Sequence, residues 1–268
     1  MRILVVGAGA VGGYFGGRLL EKGVDVTFLV RKRRKKQLQE KGLVIHSVHG
    51  DAVLSPKLLV TGEQAEPFDV VIFSNKAYHL PEAIRDVKPY VGEKTMILPL
   101  LNGMAHMEIL WNEFGKENVL GGLCFIETTL NEHGEIAQTS ASHDVRFGEW
   151  SGERTERVLA LEQLFSGCNA RFRLSEHIAT YGAIKWRDEI IARFRLSEHI
   201  ATDMWNKYLF IATMSGVTTL FRAPIGPIRS GKYGQEIIFG LLKEIAAVMR
   251  AHGAPIAAMI SKKNNWRN

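Results

Sequence analysis

The stretch Ile3–Gly17 constrains this chain more than any other. Four apolar residues, Ile3 to Val6, run straight into Gly7-Ala8-Gly9-Ala10-Val11-Gly12. Val11, Phe15 and Leu19 then recur at helical spacing. A strand, a glycine turn and a helix in that order are the context in which G-x-G-x-x-G acquires a physical meaning. Gly7 permits the tight turn, and Gly9 lets the backbone approach a pyrophosphate. Gly12 lets the helix pack close to the strand, so that phosphates meet the helix N-terminus. The bland reading is a buried strand followed by a glycine turn that binds nothing. The place of the motif at the start of an alternating α/β pattern favours the nucleotide reading.

After this helix, Gly23 is a natural stop, and Val24–Val30 reads as a second buried strand. The basic run Arg31-Lys32-Arg33-Arg34-Lys35-Lys36 begins where that strand ends. In a dinucleotide fold the adenine ribose sits there. An acid takes the 2′-OH of NAD, whereas arginine accommodates the 2′-phosphate of NADP. Arg31 has no acid near it in sequence, since Asp25 lies at the other end of the strand. A guanidinium attracts a phosphate dianion and can bond it bidentately. The pattern therefore points to NADP(H), with Arg31 as the main contact and Lys32 or Arg33 as helpers. The remaining bases read as a solvated helix start.

Further along, Leu43–Val48 and Ala52–Leu54 flank a turn and predict a hairpin. Asp69–Ser74 is a continuous apolar run ending at Asn75-Lys76, and Thr95–Leu101 is another ending at Asn102-Gly103. Both read as buried parallel strands whose carboxyl ends are ligand positions. Helices are expected over Leu80–Val87, Met107–Phe114 and Gly152–Phe165, with strands over Val119–Thr129 and Val145–Trp150. This alternation predicts a Rossmann-type doubly wound sheet. From Asp203 strand signals stop. Trp205–Leu220 and Gln235–His252 are apolar at helical spacing, joined by the loop Ala223–Gly234. A smaller all-helical domain is the expectation. The boundaries read as 1–175 for the first domain, 176–198 for a junction and 199–268 for the second.

Composition removes some function classes. No run of about 18 apolar residues occurs, so no membrane span is expected. The N-terminal stretch is too glycine-broken for a signal peptide. Cys124 and Cys168 form neither a metal pattern nor a disulfide framework, which suits reduced thiols, a cytoplasmic location and no metal. The net charge of +6 is concentrated in one basic run without interleaved aromatics, which argues against nucleic acid.

With these features assembled, the chain resembles the ketopantoate reductase (2-dehydropantoate 2-reductase) family. The resemblance rests on GAGAVGG (7–13), Arg31, SNKAY (74–78), LLNGM (100–104), the FG…NVLGG stretch (114–122) and Asp203-Met204-Trp205-Asn206-Lys207. It implies a Rossmann domain followed by a helical one, with the active site in the cleft between them and a possible homodimer. It also implies that Gly7, Ala8, Gly9, Ala10, Val11, Gly12, Arg31 and Lys76 contact NADP(H). Asn102 would stand beside nicotinamide and substrate, with Lys207 as the catalytic lysine. The implied reaction is reduction of a 2-oxo acid, foremost ketopantoate to pantoate in pantothenate biosynthesis. Hydride arriving at the 2-keto carbon leaves an alkoxide that a nearby ammonium can stabilise and protonate.

Three departures from the family pattern stand out. Where the family places asparagines four and eight residues after the lysine, this chain has Ile211 and Ser215. Ser215 can still bind substrate and Ile211 cannot. Ile225 stands where a third asparagine is expected, and the C-terminal portion reads as shortened by some tens of residues. Losing such contacts weakens recognition by about 1 kcal/mol or more each. An impaired NADP(H)-binding sensor or partner-binding protein is the alternative reading. Residues 170–180, ARFRLSEHIAT, recur letter for letter at 192–202. Two short copies do not make a solenoid, so a local duplication or an error in the sequence is the reading.

Overall fold

The computed structural model describes residues 1–169, 194–197 and 199–254. In chain order the elements are β1 (Arg2–Val6), α1 (Ala10–Glu21), β2 (Asp25–Leu29), α2 (Lys32–Lys41), β3 (Leu43–Ser47), β4 (Ala52–Leu54), β5 (Lys57–Leu59) and β6 (Phe68–Phe73). There follow α3 (Leu80–Val87), β7 (Val91–Pro99), α4 (Ala105–Phe114), β8 (Gly121–Leu130), β9 (Ile136–Gly148), α5 (Glu156–Phe165) and β10 (Phe194–Leu196). The chain then turns helical in α6 (Ile200–Phe221), α7 (Ile225–Ser230) and α8 (Gly234–Ala251).

The first sheet is parallel, in the order β5-β2-β1-β6-β7. Numbered within the sheet alone this is 3-2-1-4-5, the Rossmann order, with the reversal between β1 and β6. Its central strands are buried on both faces, as Ile3–Val6 and Val70–Phe73 show, so they read as continuous apolar runs. The expected fold class is borne out: a Rossmann-type parallel sheet followed by helices.

A second sheet, β10-β9-β3-β4, carries β8 antiparallel on β9. Helix α1 is the wall between the two sheets, and its glycines explain how. A Cβ on Gly16 would lie 2.8 Å from the Phe28 ring of the parallel sheet. On the other side, a Cβ on Gly17 would lie 2.6 Å from Ile45 and 3.1 Å from Leu43 of the second sheet. The strands expected over 119–129 and 145–150 belong to this second sheet, and β9 starts much earlier, at Ile136. α5 begins at Glu156 rather than Gly152 and buries Val158, Leu161 and Phe165.

The described residues divide into two compact units, one running from Met1 through β10 to Ile200, the other from Ala201 onward. In the second, Leu209 on α6 packs with Ala246 and Met249 on α8, with Trp205, Tyr208 and Leu242 around them. The loop expected at 223–234 contains α7. Among the described residues no helix is long and apolar enough to cross a membrane. Most of the junction expected at 176–198 and the first copy of the repeat lie outside the described residues. The second copy supplies β10 and the start of α6.

Candidate active site

The strand registers place the candidate residues. Val6 pairs with Leu29 on one side and Phe73 on the other, and Phe73 pairs with Pro99. Four strands thus end in one row. Gly7 is one residue beyond it, Arg31 two, Lys76 three and Asn102 three. Backbone bonds tie these exits together: the Gly7 amide donates to Leu29 O at 2.9 Å, and the Leu100 amide to Phe73 O at 2.8 Å.

The glycine turn has the geometry its residues predict. Gly7 sits at φ +88°, a conformation that side-chain-bearing residues rarely adopt. Ala8 is buried, and Gly9 is the N-cap of α1 with no protein atom within 4 Å of where a Cβ would be. Ala10 and Val11 open the helix, half-buried. Gly12 is pressed against the Ser74 hydroxyl and Gly7 O, and Ser74 Oγ donates to Val6 O at 3.2 Å. No side chain caps α1, and its first turn holds no acid. Its leading N–H groups and dipole are therefore disposed toward an anion. At the neighbouring exit the buried Asn75 Oδ1 has no protein partner. Open space over Gly9 and an uncapped helix with free leading N–H groups fit a dinucleotide pyrophosphate.

Arg31 is the extended N-cap of α2, with its side chain 69% exposed. An acid does reach it. The Arg31 guanidinium donates to Glu82 Oε2 at 2.7 Å across 51 residues of sequence, and His79 Nδ1 lies 3.6 Å from the same oxygen. Lys32 and Arg33 are exposed. The reading of the remaining bases as solvated needs correction at Arg34 and Lys35. Arg34 Nε donates to Ala8 O at 3.1 Å, and Arg34 Nη1 to Gly134 O at 2.7 Å, so this half-buried side chain braces the glycine turn against the β8–β9 turn. Burial lowers its pKa from the ordinary arginine value. Lys35 pairs with Glu63 at 2.6 Å. A run of six like charges conceals which member points inward, so no pattern in the run could have singled out Arg34.

Lys76 is exposed and precedes a 3-10 turn, and Asn102 is exposed beside Gly103, whose φ is +88°. The other candidates stand on α6 in the second unit. Lys207 is buried and Ser215 is exposed, eight residues apart and hence on one helix face, with half-buried Ile211 between them. Asp203 lies one turn before Lys207 and is also buried. Ile225 opens α7, half-buried. Among the described residues no group of three His, Cys, Asp or Glu could hold a metal ion.

Comparison with known proteins gives the family. Residues 3–152 match the family model "Ketopantoate reductase PanE/ApbA", and residues 199–266 match its C-terminal counterpart. The chain belongs to the ketopantoate reductase family. It is 51% identical to the "Uncharacterized oxidoreductase YkpB" of Bacillus subtilis over 95% of this chain and 77% of that protein. A 2-dehydropantoate 2-reductase structure from Geobacter metallireducens superposes with a TM-score of 0.79 at 26% identity, over 96% of this chain and 78% of the other. D-mandelate dehydrogenase, solved with NADH and anilino(oxo)acetate, shares the fold at 19% identity and TM-score 0.77, over 99% of this chain and 81% of that one.

Proposed function

We propose that the chain is an NADPH-dependent reductase that converts a 2-oxo acid to the 2-hydroxy acid, with ketopantoate the first substrate to test. The observation that carries the reading is the row of strand ends, which sets the glycine turn, Arg31, Lys76 and Asn102 along one edge. The 2-dehydropantoate 2-reductase neighbour supports the reaction class.

Gly7–Gly12 would hold the pyrophosphate, and Arg31 with Lys76 would take the phosphate of the adenosine ribose. The nicotinamide, when bound, supplies the hydride. Asn102 orients the carbonyl, and the Lys207 ammonium gives a proton to the carbonyl oxygen as charge develops there. Ser215 offers a hydroxyl to the substrate, while Ile211 on the same helix face offers none. That apolar replacement also favours a second reading, an NADP(H)-binding protein without turnover.

One experiment separates them. Purified protein is mixed with NADPH and a panel of 2-oxo acids: ketopantoate, other branched 2-oxo acids and phenylglyoxylate, the oxo form of mandelate. Loss of reduced-nicotinamide absorbance with any of them supports the reductase. Tight NADPH binding with no turnover on the whole panel overturns it in favour of the second reading.

A further inference from the structure

Arg31 and Glu82 put opposite charges at the place where an adenosine ribose would lie. Arg31 leaves the end of β2 and Glu82 stands in the first turn of α3, just beyond the exit of β6. Their 2.7 Å contact joins the two exits that flank the glycine turn. Both side chains are solvent-exposed, at 69% and 44%. The two known solutions for this position are an acid for a ribose 2′-OH and an arginine for a 2′-phosphate. This chain presents both, on different elements and in contact.

We infer that Glu82 is a specificity-determining residue through which the ribose end accepts NADH as well as NADPH. The inference rests on the nicotinamide reading above. A 2′-phosphate dianion must draw Arg31 away from Glu82 and bind beside that carboxylate. An exposed ion pair is worth little, so breaking it costs a factor of about five in affinity at most. The 2′-OH of NADH meets the opposite situation. The Glu82 carboxylate accepts its hydrogen bond while Arg31 stays paired with it. The pair thus discounts the phosphate and rewards the hydroxyl, which narrows the gap between the two coenzymes.

Dissociation constants for NADPH and NADH, read from nicotinamide fluorescence on the full chain, test this without turnover. The wild type is expected to bind both within about tenfold. Glu82→Gln removes the charge and keeps an acceptor, and it is expected to tighten NADPH by about fivefold with NADH changed by less than about twofold. Glu82→Ala also removes the acceptor and is expected to weaken NADH as well. Arg31→Gln is expected to weaken NADPH alone. A coenzyme ratio unmoved by both Glu82 variants, in a protein whose NADPH affinity does respond to Arg31→Gln, overturns this inference and leaves the nicotinamide reading standing. A wild type that binds neither coenzyme overturns both.

Discussion

The imidazoles of His49 and His143 lie face to face, with ring centroids 3.6 Å apart and planes 7° from parallel. His143 on β9 is fully buried, its Nδ1 2.6 Å from the Tyr14 hydroxyl of α1, and its Nε2 has no protein partner. The buried Arg18 guanidinium lies over the same tyrosine ring. Two stacked imidazoles beside an arginine cannot both be cations. Burial, with His49 and Arg18 adding repulsion, pushes the His143 pKa down to about 3, and burial lowers that of His49 as well.

Stability therefore depends on pH with a definite sign. The unfolded chain protonates these imidazoles near pH 6.5 and the folded one resists, so the stability present above about pH 6.5 is lost as pH falls toward 3. The slope is about 1.4 kcal/mol per pH unit for His143. His46, exposed and raised by Asp51 and Glu135, acts in the opposite sense and weakly. Urea denaturation between pH 7.5 and 5 is expected to show the loss, and His143→Asn to flatten it. Equal midpoints across that range in the wild type would refute the argument.

Two glycines of the Ile3–Gly17 stretch are expected to fail differently. Alanine at Gly9, where φ is −84° and space is open, is expected to leave the melting temperature within about 1 °C while weakening NADPH binding by more than about tenfold. Alanine at Gly17 must displace Ile45 and Leu43 and is expected to cost about 1–3 kcal/mol, with NADPH affinity in the folded protein unchanged. Calorimetry and a coenzyme titration on the two variants decide it.

Much of this was legible because the parallel strands are buried on both faces. Continuous apolar runs such as Val70–Phe73, each ending in a ligand-type residue, announce both the strand and its functional exit. The second sheet was harder. In β9 the buried positions include Gln138 and His143, so the strand shows no apolar alternation and only its end, Val145 onward, stands out. Its register against β8 also shifts between Ile126 and Thr128. The Arg31–Glu82 pair was hidden for another reason: a contact across 51 residues is made by topology, and an acid in a helix first turn looks like ordinary capping.

Arg222 follows α6 in the left-handed region, at φ +47°, the only described residue other than glycine with positive φ. A side chain there costs about 1–2 kcal/mol, part of which glycine returns as unfolded-state entropy. Arg222→Gly is expected to stabilise the protein by about 0.5–1 kcal/mol, and Arg222→Ala to give no gain. Thermal melts that rank alanine above glycine would show that the backbone is not the cause.

Lys207 carries the proton-transfer part of the proposal. Lys207→Ala is expected to lower kcat by about 10²- to 10⁴-fold with NADPH affinity within about twofold of wild type. Single-turnover kinetics with the best substrate of the panel measures this directly. A variant with full kcat removes the lysine from the mechanism.

Because α1 gives one glycine-thinned side to each sheet, neither sheet can come loose without uncovering the helix that would receive the phosphates. Local opening of β3 or β9 is then expected to loosen the glycine turn at the head of α1 as well. A dinucleotide held at the first turn of α1 would stabilise, by linkage alone, strands that it never touches.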